Sequence, residues 1–295
     1  MVDATMGEGG HAHAFLSRFP GLSVIGVDAD AAIQEVARER LAGFAGRVEF
    51  YRGRAQDFFA SYPAGVSAGF AGGRRPGAVL ADLGISLFHY AKSGRGFSFS
   101  ADEPLDMRID PSSGVSAAQM LAGMGEREIA DMLYENAEER HSRRIARAIA
   151  GARQRSAIAT AAALAQIVSG AVPASCRRGP IHPATRTFLA LRVAVNGELS
   201  GLPSLLEGAL RVLEPGGRLG IITFHSLEDR IVKRAFKKKS LDCSCPPEAP
   251  SCRCGGRAVR LLSRKGVAPD EAEARRNPPS RSARLRVAEK IRDAV

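Results

Sequence analysis

No stretch of this 295-residue chain approaches the roughly 18 consecutive apolar residues that a membrane-spanning helix needs. No basic, then apolar, then small-residue leader opens it. The expectation is a cytoplasmic protein with no membrane partner. Cysteine is scarce: there are five, and four of them crowd into residues 243–254. A disulfide framework is not expected in a cytosolic chain. No G-x-x-x-x-G-K-S/T string occurs, which excludes a P-loop. No Pro-Cys dipeptide of the kind used by cytosine-C5-methylating enzymes is present either. Hydrophobic residues at 45% and charged residues at 25% exclude a disordered tail, a collagen and a membrane bundle.

Acidic residues are missing from one long stretch. From Arg140 to Asn196 ten arginines face no aspartate or glutamate. Residues 1–139 hold 12 basic and 19 acidic side chains, whereas residues 140–295 hold 30 and 12, within a total charge of +11. A one-sided field of this kind suits docking on phosphates; the alternative is a solvated basic surface. Arg140, Arg143, Arg144 and Arg147 recur at i, i+3, i+4 and i+7, one face of a predicted helix over 138–155. That face is a candidate phosphate track or a solvated one. Cys243, Cys245, Cys252 and Cys254 form two C-x-C pairs, and four thiolates this close can hold a tetrahedral zinc. The spacing is tighter than usual and the loop is Pro-rich, so unligated surface cysteines are the default and no metal is assigned.

Along the chain, strands and helices alternate at first. A short strand over 1–5 leads through Gly7-Glu8-Gly9-Gly10 into a helix over 11–18. Strands over 23–28, 48–51 and 78–82 follow, with a helix over 30–41. Such alternation predicts a parallel sheet with right-handed crossovers. Between about 98 and 181 only helical periodicity is visible, in pieces over 117–122, 126–135, 138–155 and 160–169. A helix over 184–199 follows His182-Pro183. The α/β pattern then resumes, with a helix over 205–213, a strand over 218–224, a helix opening at Ser226 and late strands over 259–262 and 285–288. The fold class is therefore α/β, a sheet interrupted by an all-helical insert. The domains read as 1–98, the insert 99–182, and 183–295 with a basic C-terminal tail.

Three aspartates are predicted to converge where the strands end. Asp3 precedes the glycine turn, whose glycines let backbone amides approach a ligand. Asp28 ends the second strand, where a carboxylate accepts hydrogen bonds from both hydroxyls of a ribose. Asp82 ends the fourth, in Asp82-Leu83-Gly84-Ile85-Ser86, at the carboxyl edge where open α/β sheets bind ligands; the alternative for it is a helix cap. The turn is G-x-G-G rather than the dinucleotide fingerprint G-x-G-x-x-G, which suits S-adenosylmethionine better than NAD. Phe97, in the loop Arg95-Gly96-Phe97, is a candidate wall for a base or a piece of loop packing. Ser226 and Asp229 read as a capping box, with His225 beside them.

The strings DATMGEGGHAH, RGFSFSADEPLDMRID, EERHSRRIARAI, IHPATRTFLALRVAVNGEL, FHSLEDRIVKRAF and NPPSRSARLRVAEK resemble the successive motifs of the bacterial RsmH (MraW) family, nearly end to end. That resemblance implies a Rossmann-like methyltransferase sheet with a helical substrate domain inserted after strand four. It implies transfer of a methyl group from S-adenosylmethionine to N4 of a decoding-region cytidine in 16S ribosomal RNA, with that RNA or the small ribosomal subunit as partner; a homodimer is left open. Position by position it implies Gly9, Gly10 and His11 at the methionine end of the cofactor, Asp28 at the ribose, and Asp82 beside the reacting centre. It adds pocket positions that align near Ala55 and near His89. At His89 the chain departs from the family, reading Leu87-Phe88-His89-Tyr90 in place of Ser-Pro-Gln-Leu-Asp. The family also carries a few dozen residues before the Asp-x-Thr strand, so this chain reads as shortened or started late at that end. Two rival readings remain: an RNA-binding ribosome-assembly factor with a vestigial nucleoside pocket, and an NAD-dependent oxidoreductase.

Overall fold

A computed structural model describes residues 1–63, 75–177, 179, 181–243, 245 and 256–293. The chain forms two compact units, one from Met1–Gly84 with Ser200–Val295 and one from Ile85–Leu199. The helical unit is thus wider than the 99–182 segment marked by its periodicity. Its extra residues at each end are helical or loop and pack with its own core, Ile85 and Val195 among them.

In the first unit the described residues form a seven-stranded sheet in the order β3-β2-β1-β4-β5-β7-β6. The strands are β1 (Val2–Asp3), β2 (Val24–Asp28), β3 (Val48–Arg52), β4 (Ala78–Asp82), β5 (Arg218–Thr223), β6 (Val259–Leu261) and β7 (Arg284–Lys290). The first five pair in parallel, and β7 runs antiparallel between β5 and β6. Parallel central strands are buried on both faces, and β2 illustrates how. Val24 packs with Leu16 of α1 (Gly10–Arg18), Ala37 of α2 (Ala31–Arg40) and Leu41 just past the end of α2. Ile25 and Val27 face the opposite way, toward Phe58 and Phe59 of α3 (Ala55–Ser61) and Leu206 of the Glu198–Val212 helix. Full burial of side chains this large contributes on the order of 2–3 kcal/mol each. The strand order reverses direction between β1 and β4, the switch point where such sheets bind ligands.

The helical unit is built on its own core. The Glu126–Ala137, Ser142–Arg153, Ala161–Ala171 and Thr185–Asn196 helices bury Ile129, Leu133, Ile145, Ile149, Leu164 and Leu191 together. The Asn196 amide bonds the backbone on both sides of Arg108, giving its N–H to Met107 O and accepting from Ile109 N, each at 2.8 Å. Arg192 and Glu198 form a two-pronged ion pair at 2.9 and 2.8 Å.

Expected helix starts need correction in several places. The helix expected over 138–155 begins only at Ser142, because Glu138 takes a left-handed conformation (φ 50°) that closes the preceding helix. The Ser226–Lys239 helix is capped one residue earlier than expected. His225 is the cap residue, and the Glu228 carboxylate accepts the N–H of Phe224 and of His225 at 2.9 and 3.3 Å. Asp229 instead pairs with Arg286 on β7 at 2.6 and 2.9 Å, which holds its carboxyl below the usual carboxylate range.

Candidate active site

Three neighbouring strands, β2, β1 and β4, each end in an aspartate: Asp28, Asp3 and Asp82. Between these ends the chain leaves β1 as a glycine turn. Met6 N donates to Val27 O at 2.9 Å, which carries the turn over the end of β2. Gly26 makes room for it, since a Cβ there would lie 1.7 Å from Met6 Cε. Gly9 then caps α1 with φ 77°, and an added Cβ would press on Leu41 Cδ1 at 3.1 Å. The first turn of α1 carries no acidic residue and no side-chain cap, so its leading amides are left for an anionic ligand group.

Asp28 is fixed by the turn it faces. Its Oδ2 accepts Gly7 N at 2.8 Å and its Oδ1 accepts Asp30 N at 3.0 Å. Gln34, buried on α2, donates to Asp28 O and Tyr51 O at 3.0 and 2.8 Å and ties the ends of β2 and β3 together. Asp82 is held through its backbone, where its N–H donates to Thr5 Oγ1 at 2.7 Å. Its Oδ2 lies 3.2 Å from His11 Nε2, while its Oδ1 is buried with no hydrogen-bond partner. The Asp82 carboxylate raises the His11 pKa, against the opposing pull of burial.

Asp3 is the most unusual member. It is fully buried, and neither carboxylate oxygen has a hydrogen-bond partner. Burial pushes its pKa up to about 7, and the nearby Asp82 and Asp28 charges add to the rise. His11 pulls it back, as does the Thr5 amide, whose geometry falls short of a hydrogen bond. Buried acceptors left open in this way are costly unless a ligand completes them.

The structure therefore brings Gly9, Gly10, His11, Asp28 and Asp82 together in the first unit, with Asp3 beside them as expected, and adds Thr5 and Gln34. Ala55 opens α3, buried just beyond the end of β3. His89 belongs to the helical unit, where its buried ring sits 3.2 Å from Ser86 Oγ and edge-on to Phe97 at 5.2 Å. Phe97 packs in that unit's core, so loop packing accounts for it. Arg140, Arg143, Arg144 and Arg147 are all exposed; Arg140 lies in the turn before the Ser142–Arg153 helix and the other three lie on it. Cys252 and Cys254 fall outside the described residues. Among the described residues no group of His, Cys, Asp and Glu is arranged to hold a metal.

A parallel sheet with a glycine turn at its switch point and acids at the ends of β2 and β4 is the architecture of a Rossmann-like methyltransferase. The chain belongs to the MraW methylase family, which it matches over residues 1–291. It is 54% identical to "Ribosomal RNA small subunit methyltransferase H" of Treponema denticola, over 98% of this chain and 90% of the relative. It is 47% identical to the protein of the same name from Syntrophobacter fumaroxidans, over 98% and 89%. A solved rRNA methylase from Streptococcus thermophilus aligns with TM-score 0.40 at 12% identity, over 99% of this chain and 86% of that one. The cofactor of this family is S-adenosylmethionine. The residues present fit such a molecule: buried carboxylate oxygens without partners suit a cationic group, and helix amides without a side-chain cap suit a carboxylate.

Proposed function

We propose that this protein transfers a methyl group from S-adenosylmethionine to N4 of a cytidine in the decoding region of 16S ribosomal RNA, in the cytoplasm, with that RNA or the small ribosomal subunit as its partner. The observation that carries the reading is Asp82, anchored through its backbone and through Oδ2 while Oδ1 remains an unused buried acceptor. Family membership and the names of the relatives supply the RNA.

The bound cofactor supplies an electrophilic methyl group. Gly9, Gly10 and His11 hold its methionine end and Asp28 its ribose. The exocyclic amine of cytosine shares its lone pair with the ring and is a poor nucleophile, so alignment is the main task of the protein. Asp82 Oδ1 accepts one amine N–H and thereby keeps the lone pair aimed. The same carboxylate takes the proton that becomes acidic once the nitrogen is alkylated, with His11 Nε2 beside Oδ2 to share the charge. No nucleophilic cysteine is required. The exposed arginines of the helical unit, Arg140, Arg143, Arg144 and Arg147, grip RNA phosphates.

The deciding experiment is mass mapping of methylated nucleosides in small-subunit RNA from cells with and without this protein. One N4-methylcytidine present only with the protein is the expected result. An unchanged map, with the RNA still bound, would favour a non-enzymatic assembly factor.

A further inference from the structure

The chemistry above uses Asp82, His11 and Asp28 and leaves the carboxyl group of Asp3 without a task. We infer that Asp3 distinguishes the cofactor from its demethylated product by exchanging its own proton for the cofactor's positive charge. The inference rests on S-adenosylmethionine being the cofactor.

The geometry is specific. Asp3 is 0% exposed and both of its oxygens lack a hydrogen-bond partner. The charged groups that face it are His11 from α1, Asp28 from β2 and Asp82 from β4. Asp28 satisfies its oxygens with backbone amides and Asp82 shares one with His11. Neither oxygen of Asp3 has such a partner, and the pull of His11 is outweighed by burial, so the carboxylate takes up a proton. Its pKa of about 7 places that proton on the group for half of the molecules at neutral pH.

S-adenosylmethionine carries an ammonium, a sulfonium and a carboxylate, for a net charge of one positive. When it enters beside three aspartates, Asp3 ionises and its proton leaves to solvent, so the charge of the buried site is unchanged. S-adenosylhomocysteine lacks the sulfonium charge and is neutral overall. It brings no net charge to exchange, and Asp3 keeps its proton. Methyl transfer therefore ends with Asp3 recovering a proton from solvent, which removes the attraction that held the charged form and favours product exchange.

Calorimetric titration of the full-length protein with each ligand, at pH 6, 7 and 8 and in two buffers of different ionisation enthalpy, counts the protons released. For S-adenosylmethionine we expect release of nearly one proton at pH 6, about half at pH 7 and almost none at pH 8, with affinity rising about tenfold from pH 6 to 8. For S-adenosylhomocysteine we expect no release and little change in affinity. Asp3→Asn should abolish both the release and the difference between the ligands. Equal proton counts for the two ligands in the wild type would overturn the inference, whether or not the variant folds. Undiminished release from a folded Asp3→Asn protein would assign the proton to His11 and overturn it as well. Absence of binding heat from S-adenosylmethionine at every pH would instead remove the cofactor and the inference together.

Discussion

Three aspartates share one strand edge, yet their surroundings give them different work. Asp28 is satisfied by two amides and should act as a rigid acceptor. Asp28→Ala should weaken S-adenosylmethionine binding by several kcal/mol, at roughly 1.5–3 for each charge-assisted bond lost; unchanged affinity by calorimetry would remove its ribose role. Asp82 has one open oxygen, so Asp82→Asn should lower turnover by about 10² or more while changing cofactor affinity little, and Asp82→Ala should do worse. Single-turnover rates at saturating cofactor separate this from a purely cofactor-holding role, in which rate and affinity would fall together. Asp3 also makes stability depend on pH. An acid whose folded pKa is raised binds more protons folded than unfolded between pH 3.8 and about 7, so the fold loses stability as pH rises through that window. Cofactor-free Asp3→Asn should therefore melt several degrees above wild type at pH 8 and no higher at pH 4, as scanning calorimetry can check; the penalty removed is on the order of a few kcal/mol. The positions of Asp28 and Asp82 at strand ends were legible because both follow clear apolar runs. The open state of Asp3 was not, since it depends on what fails to reach it in three dimensions.

At the level of elements, periodicity located each of the seven strands and most helices, and it erred where one backbone conformation decides a boundary. Glu138 ends a helix in the left-handed region, a state that glutamate seldom signals, and the adjacent Glu139 carboxylate turns the chain by accepting His141 N at 2.8 Å. The helix expected over 205–213 runs from Glu198 to Val212, with Pro203 inside it. One missing backbone bond is outweighed by burial of Leu202, Leu205, Leu206, Ala209 and Leu210 along the same face. Helix α3, over Ala55–Ser61, has no counterpart among the expected elements. The glycine turn carries a prediction of its own. Gly26→Ala places a methyl group onto Met6, so it should destabilise the protein by about 1–3 kcal/mol and lower cofactor affinity, whereas adding Met6→Ala should restore much of the stability. On the Ser142–Arg153 helix, exchange of Arg143 and Arg144 for alanine should weaken RNA binding and reduce its salt slope by about two. A wild-type slope in filter binding would make that face merely solvated.

For the molecule as a whole, the sheet is assembled from both ends of the chain. Its central strands β1 and β4 lie before residue 85, while β5, the other neighbour of β4, and the antiparallel β7 come after residue 200. The helical unit, by contrast, is one continuous run, Ile85–Leu199. Contacts between residues so far apart in sequence form slowly, and helical contacts within one run form fast. During synthesis the helical unit is complete while the sheet still lacks three strands, and the edge of β4 must wait for more than 130 residues before Ala78 can meet Arg218. An emerging chain of this protein thus passes through a stage in which a finished helical body trails an unfinished sheet with an open apolar edge, the stage at which a chaperone has the most to hold.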